Sequence, residues 1–109
     1  MKAVFVRYDE QANGTEITAH VNEDFEVALS EVRTAGYRWT ILENGEPTLK
    51  LTAEENLSNT AGVGGAGQHQ WRFHAGSPGE TEIKMQYARS WQKTPKPART
   101  FVLKVRVQS

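Results

Sequence analysis

The sequence predicts an all-β protein, an immunoglobulin-like antiparallel β-sandwich of about eight strands, with a small barrel as the alternative closure. Three observations predict it. Apolar residues recur with a period of two along much of the chain, helical spacing is scarce, and turn-favouring residues punctuate the alternating segments at short intervals.

From the N-terminus, a weak strand covers residues 3–8, and Asn13-Gly14 supplies the next turn. Ile17, Ala19 and Val21 then alternate with Thr18 and His20, and Phe25, Val27 and Leu29 with Glu26 and Ala28. Weak strands follow at residues 37–42 and 48–52, separated by Asn44-Gly45. A helical turn is possible only within residues 53–57. Trp71 and Phe73 flank Arg72, and Ser77-Pro78-Gly79 breaks the chain before Ile83, Met85 and Tyr87 alternate with Lys84 and Gln86. The clearest strand is the last. Phe101, Leu103, Val105 and Val107 share one face while Lys104 and Arg106 share the other. Trp39, Trp71, Phe73, Phe101 and Leu103 occupy in-phase positions and form the expected core.

Length and charge narrow the function classes. A chain of 109 residues reads as one domain over residues 1–109, enough for a single sandwich core. Its 13 basic and 13 acidic residues cancel, which gives no support for a nucleic-acid partner or a membrane surface. Without cysteine there is no disulfide, thiol nucleophile or thiolate metal site. Residues 1–8 lack the apolar stretch of a secretory signal, so a cytoplasmic protein is expected unless an export signal has been removed. The expected state is a monomer.

Catalysis is not expected. There is no Gly-x-Ser-x-Gly, and no serine falls at a strand-to-helix elbow. His69 and His74 lie on opposite faces of one strand by parity, without a neighbouring carboxylate at ligand spacing. They and His20 read as solvated or capping histidines, and neither metal nor cofactor is expected. The glycine run from Gly62 to Gly67 opens a strand, not the helix that a phosphate loop needs.

Function is instead expected in three connections. If strand direction alternates along the chain, connections of the same parity leave the same end of the sandwich. Those at residues 30–36, 53–68 and 88–100 would then form one edge. The first carries Arg33, Thr34, Ala35 and Gly36, and the second carries Gly64, Gly65, Ala66 and Gly67. Glycines there let the backbone lie flat against a partner. The third carries Arg89, Ser90 and Trp91, and an arginine beside a tryptophan on a loop is a pairing enriched at interface hot spots.

At these segments the sequence resembles the chagasin family of cysteine-protease inhibitors. The family's first motif, Asn-Pro-Thr-Thr-Gly followed by an aromatic and then Trp, aligns with Val32-Arg33-Thr34-Ala35-Gly36-Tyr37-Arg38-Trp39. Its Gly-x-Gly-Gly motif is met by Gly62-Val63-Gly64-Gly65 or by Gly64-Gly65-Ala66-Gly67, and its Tyr-x-Arg-Pro-Trp motif by Tyr87-Ala88-Arg89-Ser90-Trp91. The resemblance implies an immunoglobulin-like fold whose three loops wedge into the active-site cleft of a papain-like, cathepsin L-type cysteine protease. The protease-binding residues would be Arg33, Thr34, Ala35, Gly36, Gly64, Gly65, Ala66, Gly67, Arg89, Ser90 and Trp91. Val32-Arg33 stands for Asn-Pro and Ser90 for proline, which leaves these loops less pre-organised than the family pattern. The alternative is a non-inhibitory module, either an adhesion or carbohydrate-binding sandwich with Tyr37 and Trp91 as stacking platforms, or a structural unit of a larger assembly.

Overall fold

The alternation is realised in eight strands: β1 (Val6–Tyr8), β2 (Thr15–His20), β3 (Asp24–Val32), β4 (Tyr37–Asn44), β5 (Leu49–Leu57), β6 (Ala66–Ala75), β7 (Gly79–Arg89) and β8 (Arg99–Gln108). The computed structural model of the protein describes residues 6–32, 36–57, 66–89 and 97–109, with the backbone alone at Val32, Leu57 and Ala66. The strands form two four-stranded sheets, ordered β1-β3-β6-β5 and β2-β8-β7-β4.

Inward-facing residues of both sheets make the core. Val27, Leu29, Phe73, Ile83 and Leu103 have no exposed surface, and Trp71 and Phe101 are 1% exposed. Trp39 is 5% exposed, so all five aromatic and aliphatic residues expected inside are buried. The Phe25 and Phe73 rings stack at 5.5 Å across the β3–β6 pair.

Consecutive strands reverse direction, yet most of them change sheets instead of pairing. Strands an even number of positions apart therefore run in the same sense where they lie side by side. The two pairings made by β1 and β2 are parallel: Val6 lies opposite Phe25, and Thr15 opposite Leu103. The ladders joining β3, β6 and β5, and those joining β4, β7 and β8, are antiparallel. Side-chain alternation specifies a strand's buried face but not its neighbour, so these parallel edges were not expected from sequence.

Residues 53–57 correct a second expectation. They continue β5 and form no helical turn. A bulge between Leu51 and Ala53 adds one residue to the strand, so Leu51 opposes Phe73 while Ala53 opposes Arg72. Leu49 and Leu51 point at the core before the bulge; Glu54 and Asn56 take the inward phase after it, opposite Trp71 and His69. The only helical element among the described residues is a 3₁₀ turn, Glu10–Ala12, whose N-cap Asp9 accepts from the Gln11 N–H at 2.9 Å.

Asn44-Gly45 is a turn, with Gly45 at φ 82°, and a Cβ there would lie 2.6 Å from Leu49 Cδ1. No helix among the described residues is long and apolar enough to cross a membrane.

Candidate functional site

Ladder register places the relevant strand ends together. Val32 at the end of β3 pairs with Ala66 at the start of β6, and Leu57 at the end of β5 pairs with Gln68. In the other sheet Tyr37 pairs with Arg89, and Tyr87 with Arg99. The strand ends that bound residues 33–36, 58–65 and 90–98 thus lie at one end of the sandwich. The β2–β3, β4–β5 and β6–β7 connections lie at the other.

Of the expected site residues, Arg33, Thr34, Ala35, Gly64, Gly65, Ser90 and Trp91 lie outside the described residues. Gly36, Ala66, Gly67 and Arg89 lie within them. Gly36 enters β4 at φ 78°, left-handed backbone that side-chain-bearing residues adopt at a cost. Ala66, Gly67 and Arg89 were expected in connections but are ladder residues: Ala66 opposes Val32, Gly67 opposes Glu31, and Arg89 opposes Tyr37. Backbone pairing runs past the last clear side-chain alternation because ladder bonds need no particular side chain.

Beyond the aliphatic core, the inward positions of the second sheet carry an aromatic ladder. Trp39 lies opposite Tyr87 with ring centroids 5.1 Å apart. Tyr87 stacks on Tyr37 at 5.4 Å, and the Arg89 guanidinium carbon sits 5.1 Å from the Tyr37 ring centroid. A cation over an aromatic face on a neighbouring strand holds the arginine at the strand end. It also occupies the ring that a carbohydrate platform would use.

The inward positions of the first sheet carry a polar cluster. Glu31 is 2% exposed. Its carboxylate accepts from the Trp39 N–H at 2.8 Å and from Asn56 Nδ2 at 2.7 Å, and it lies 3.0 Å from His69 Nδ1. The other ring nitrogen of His69 lies 2.6 Å from Glu54 Oε2, and the ring stacks on Trp71 at 4.0 Å. Burial is the largest influence on the Glu31 carboxyl and works against its ionisation. The bonds from Trp39, His69 and Asn56 together outweigh it and hold the carboxyl below the usual glutamate value. Glu10 repeats the pattern on the outside of β3. Burial acts upward, but the Ser30 N–H at 2.8 Å and the nearby Arg99 leave the carboxyl lowered.

The histidines correct the earlier reading. His69 is 8% exposed and held between two carboxylates, and His74 Nδ1 lies 2.6 Å from Asp24 Oδ1. Their partners come from other strands, 15 to 50 positions away, where local spacing gives no hint of them. His20 is exposed. Among the described residues no group of three or more His, Cys, Asp or Glu side chains is arranged to hold a metal ion. Glu31 was legible by another route: the period running through Phe25, Val27 and Leu29 reaches an inward carboxylate at Glu31.

Residues 18–105, which include all three segments, match the chagasin family of peptidase inhibitors (chagasin family peptidase inhibitor I42). The chain belongs to the chagasin family. Members of this family are protease inhibitors, not enzymes. The chagasin-type sandwich extends to solved structures. The cysteine protease inhibitor EhICP2 from Entamoeba histolytica superposes with a TM-score of 0.85 at 21% identity, covering 95% of this chain and 96% of that one. Amebosin in its solution structure gives a TM-score of 0.75 at 29% identity, covering 97% of this chain and 100% of its own. PbICP-C, in a complex with falcipain-2, gives 0.60 at 20% identity over 95% of this chain and 91% of that chain. No curated protein matches this chagasin-family chain in sequence.

Proposed function

We propose that this chagasin-family protein reversibly inhibits papain-like, cathepsin L-type cysteine proteases by occluding the active-site cleft with residues 33–36, 64–67 and 89–91. One observation carries the reading: the strand ends bounding these segments converge on one end of the sandwich, cross-tied between sheets by Glu31 and Trp39. The PbICP-C complex with falcipain-2 adds a protease partner for a protein of the same fold.

In this mechanism Thr34 and the small Ala35-Gly36 pair approach the protease's catalytic cysteine and histidine without presenting a scissile bond in reacting position. Gly64 and Gly65 run along the substrate cleft as an extended partner and exchange main-chain hydrogen bonds with it, while Ala66 and Gly67 at the start of β6 support them from the sheet. Arg89 and Trp91, with Ser90 between them, anchor the opposite wall, and Arg33 adds a charged contact at the centre. An interface of about 1,600 Å² in total is enough for tight reversible binding.

The test is inhibition of papain and cathepsin L by the purified protein, followed by mass measurement of the recovered inhibitor. Saturable, reversible inhibition with the chain recovered uncut is the expected result. Failure of saturating protein to slow either enzyme would overturn the proposal.

A further inference from the structure

Glu31 is buried, and each partner described above sits on a different strand: Trp39 on β4, Asn56 on β5 and His69 on β6. Strands β3 and β4 bound residues 33–36, and β5 and β6 bound residues 58–65. One carboxylate therefore gathers the bases of two loops, and its bond to the Trp39 N–H passes from one sheet to the other. A buried carboxylate tolerates its surroundings only while those donors stay in place, so its position and theirs are mutually dependent.

We propose that Glu31 is a positioning residue of the inhibitory end: by holding Trp39, Asn56 and His69 together, its carboxylate fixes the spacing of the strand ends from which the first two loops depart. This inference rests on the inhibitor reading above. Loops set in their binding geometry before the encounter lose less conformational freedom on docking, so loss of the carboxylate weakens inhibition while the fold persists. The depressed carboxyl of Glu31 fits this role, since the ionised form is the one its donors favour. His69, Glu54 and Arg38 are the titratable or charged groups from β6, β5 and β4 that line the same groove, with neutral Asn56 and Thr40 beside them. In the imidazolium form His69 donates to both carboxylates, and in the neutral form to one.

The experiment compares inhibition constants of the wild-type protein and Glu31→Gln against papain between pH 6 and pH 3, at a temperature where thermal unfolding shows both to be folded. Under those conditions the unfolded fraction is negligible, so lost stability alone leaves the constant unchanged. The expected result is an inhibition constant about tenfold or more higher for Glu31→Gln at pH 6. The ratio of the two constants should stay level down to the ordinary glutamate value and narrow below it, as the wild-type carboxyl becomes protonated, and taking the ratio cancels the protease's own titration. A folded Glu31→Gln that matches the wild type at pH 6, or a ratio independent of pH, overturns the inference and leaves the inhibitor reading standing. A wild-type protein that does not inhibit removes that reading, and this inference with it. Should Glu31→Gln fail to fold, Asn56→Ala removes one donor from an exposed residue. Its inhibition constant is then expected to rise about threefold or more, and an unchanged value overturns the inference.

Discussion

The indole of Trp39 donates through Nε1 to the carbonyl oxygen of Ser30 at 2.8 Å, joining an edge strand of one sheet to an interior strand of the other. The same tryptophan is held a second time by β3, because its backbone N–H donates to Glu31. Residues 33–36 are thus spanned at their base by both a side chain and a backbone group. Replacing Trp39 with phenylalanine keeps an apolar ring but removes the indole donor, leaving the Ser30 carbonyl without it. A loss of about 1–3 kcal/mol of folding stability is expected in urea unfolding. An unchanged midpoint would show that water replaces the indole at no cost.

Gly36 enters β4 at φ 78°. Gly36→Ala adds a Cβ in left-handed backbone and is expected to cost about 1–2 kcal/mol. It should also weaken protease inhibition, because relief of the strain would redirect the first loop where it joins the strand. Denaturant unfolding and an inhibition assay on one preparation check both parts. Wild-type values in both would mean that this φ is not needed.

For the third loop the expected anchor is Trp91. Trp91→Ala should weaken binding to papain or cathepsin L by about 2 kcal/mol or more, with the melting temperature unchanged. An inhibition constant within twofold of wild type would place the third loop's contribution elsewhere.

Acid should destabilise the fold in a defined window. Glu31 and Glu10 both have carboxyls held below the ordinary glutamate value in the folded protein. A depressed carboxyl contributes stability that is fully present above the unfolded value and is lost as pH falls through the folded one. The melting temperature contribution from these groups is therefore constant from pH 7 to about 5 and declines below about 4.5. Thermal unfolding across that range should show a shallower decline for Glu31→Gln than for the wild type. Parallel declines would assign the acid sensitivity to other groups.

The strands with strict alternation were readable from the chain. Phe101, Leu103, Val105 and Val107, and Ile83 with Met85, are buried as their parity requires. Three things were not readable, for three physical reasons. The stretch Ala53-Glu54-Glu55-Asn56-Leu57 has little β-propensity and follows a bulge, so its pattern breaks where the strand itself continues. The 3₁₀ turn at Glu10 is one turn long and carries no periodicity. The carboxylate partners of His69 and His74 are brought in by ladder pairing from distant strands, and pairing is a property of the whole sheet. At the candidate site glycines and aromatics gave the expectation of three segments, of whose residues Gly36, Ala66, Gly67 and Arg89 lie within the described ones. The inward phase of Glu31 was legible too, but its partners Trp39, Asn56 and His69 were not.

The extra residue in β5 divides that strand between two tasks. Ahead of it the inward side chains are leucines that fill the interior; behind it they are Glu54 and Asn56, facing the buried imidazole and carboxylate. Were Thr52 instead paired opposite Arg72 in an unbulged ladder, plain alternation would turn Ala53 and Glu55 inward in their place, exchanging the polar lining of one end without altering a residue of the interior. The bulge therefore works as a phase inserter: it lets the strand's outer half change its face chemistry independently of the half that makes the protein fold.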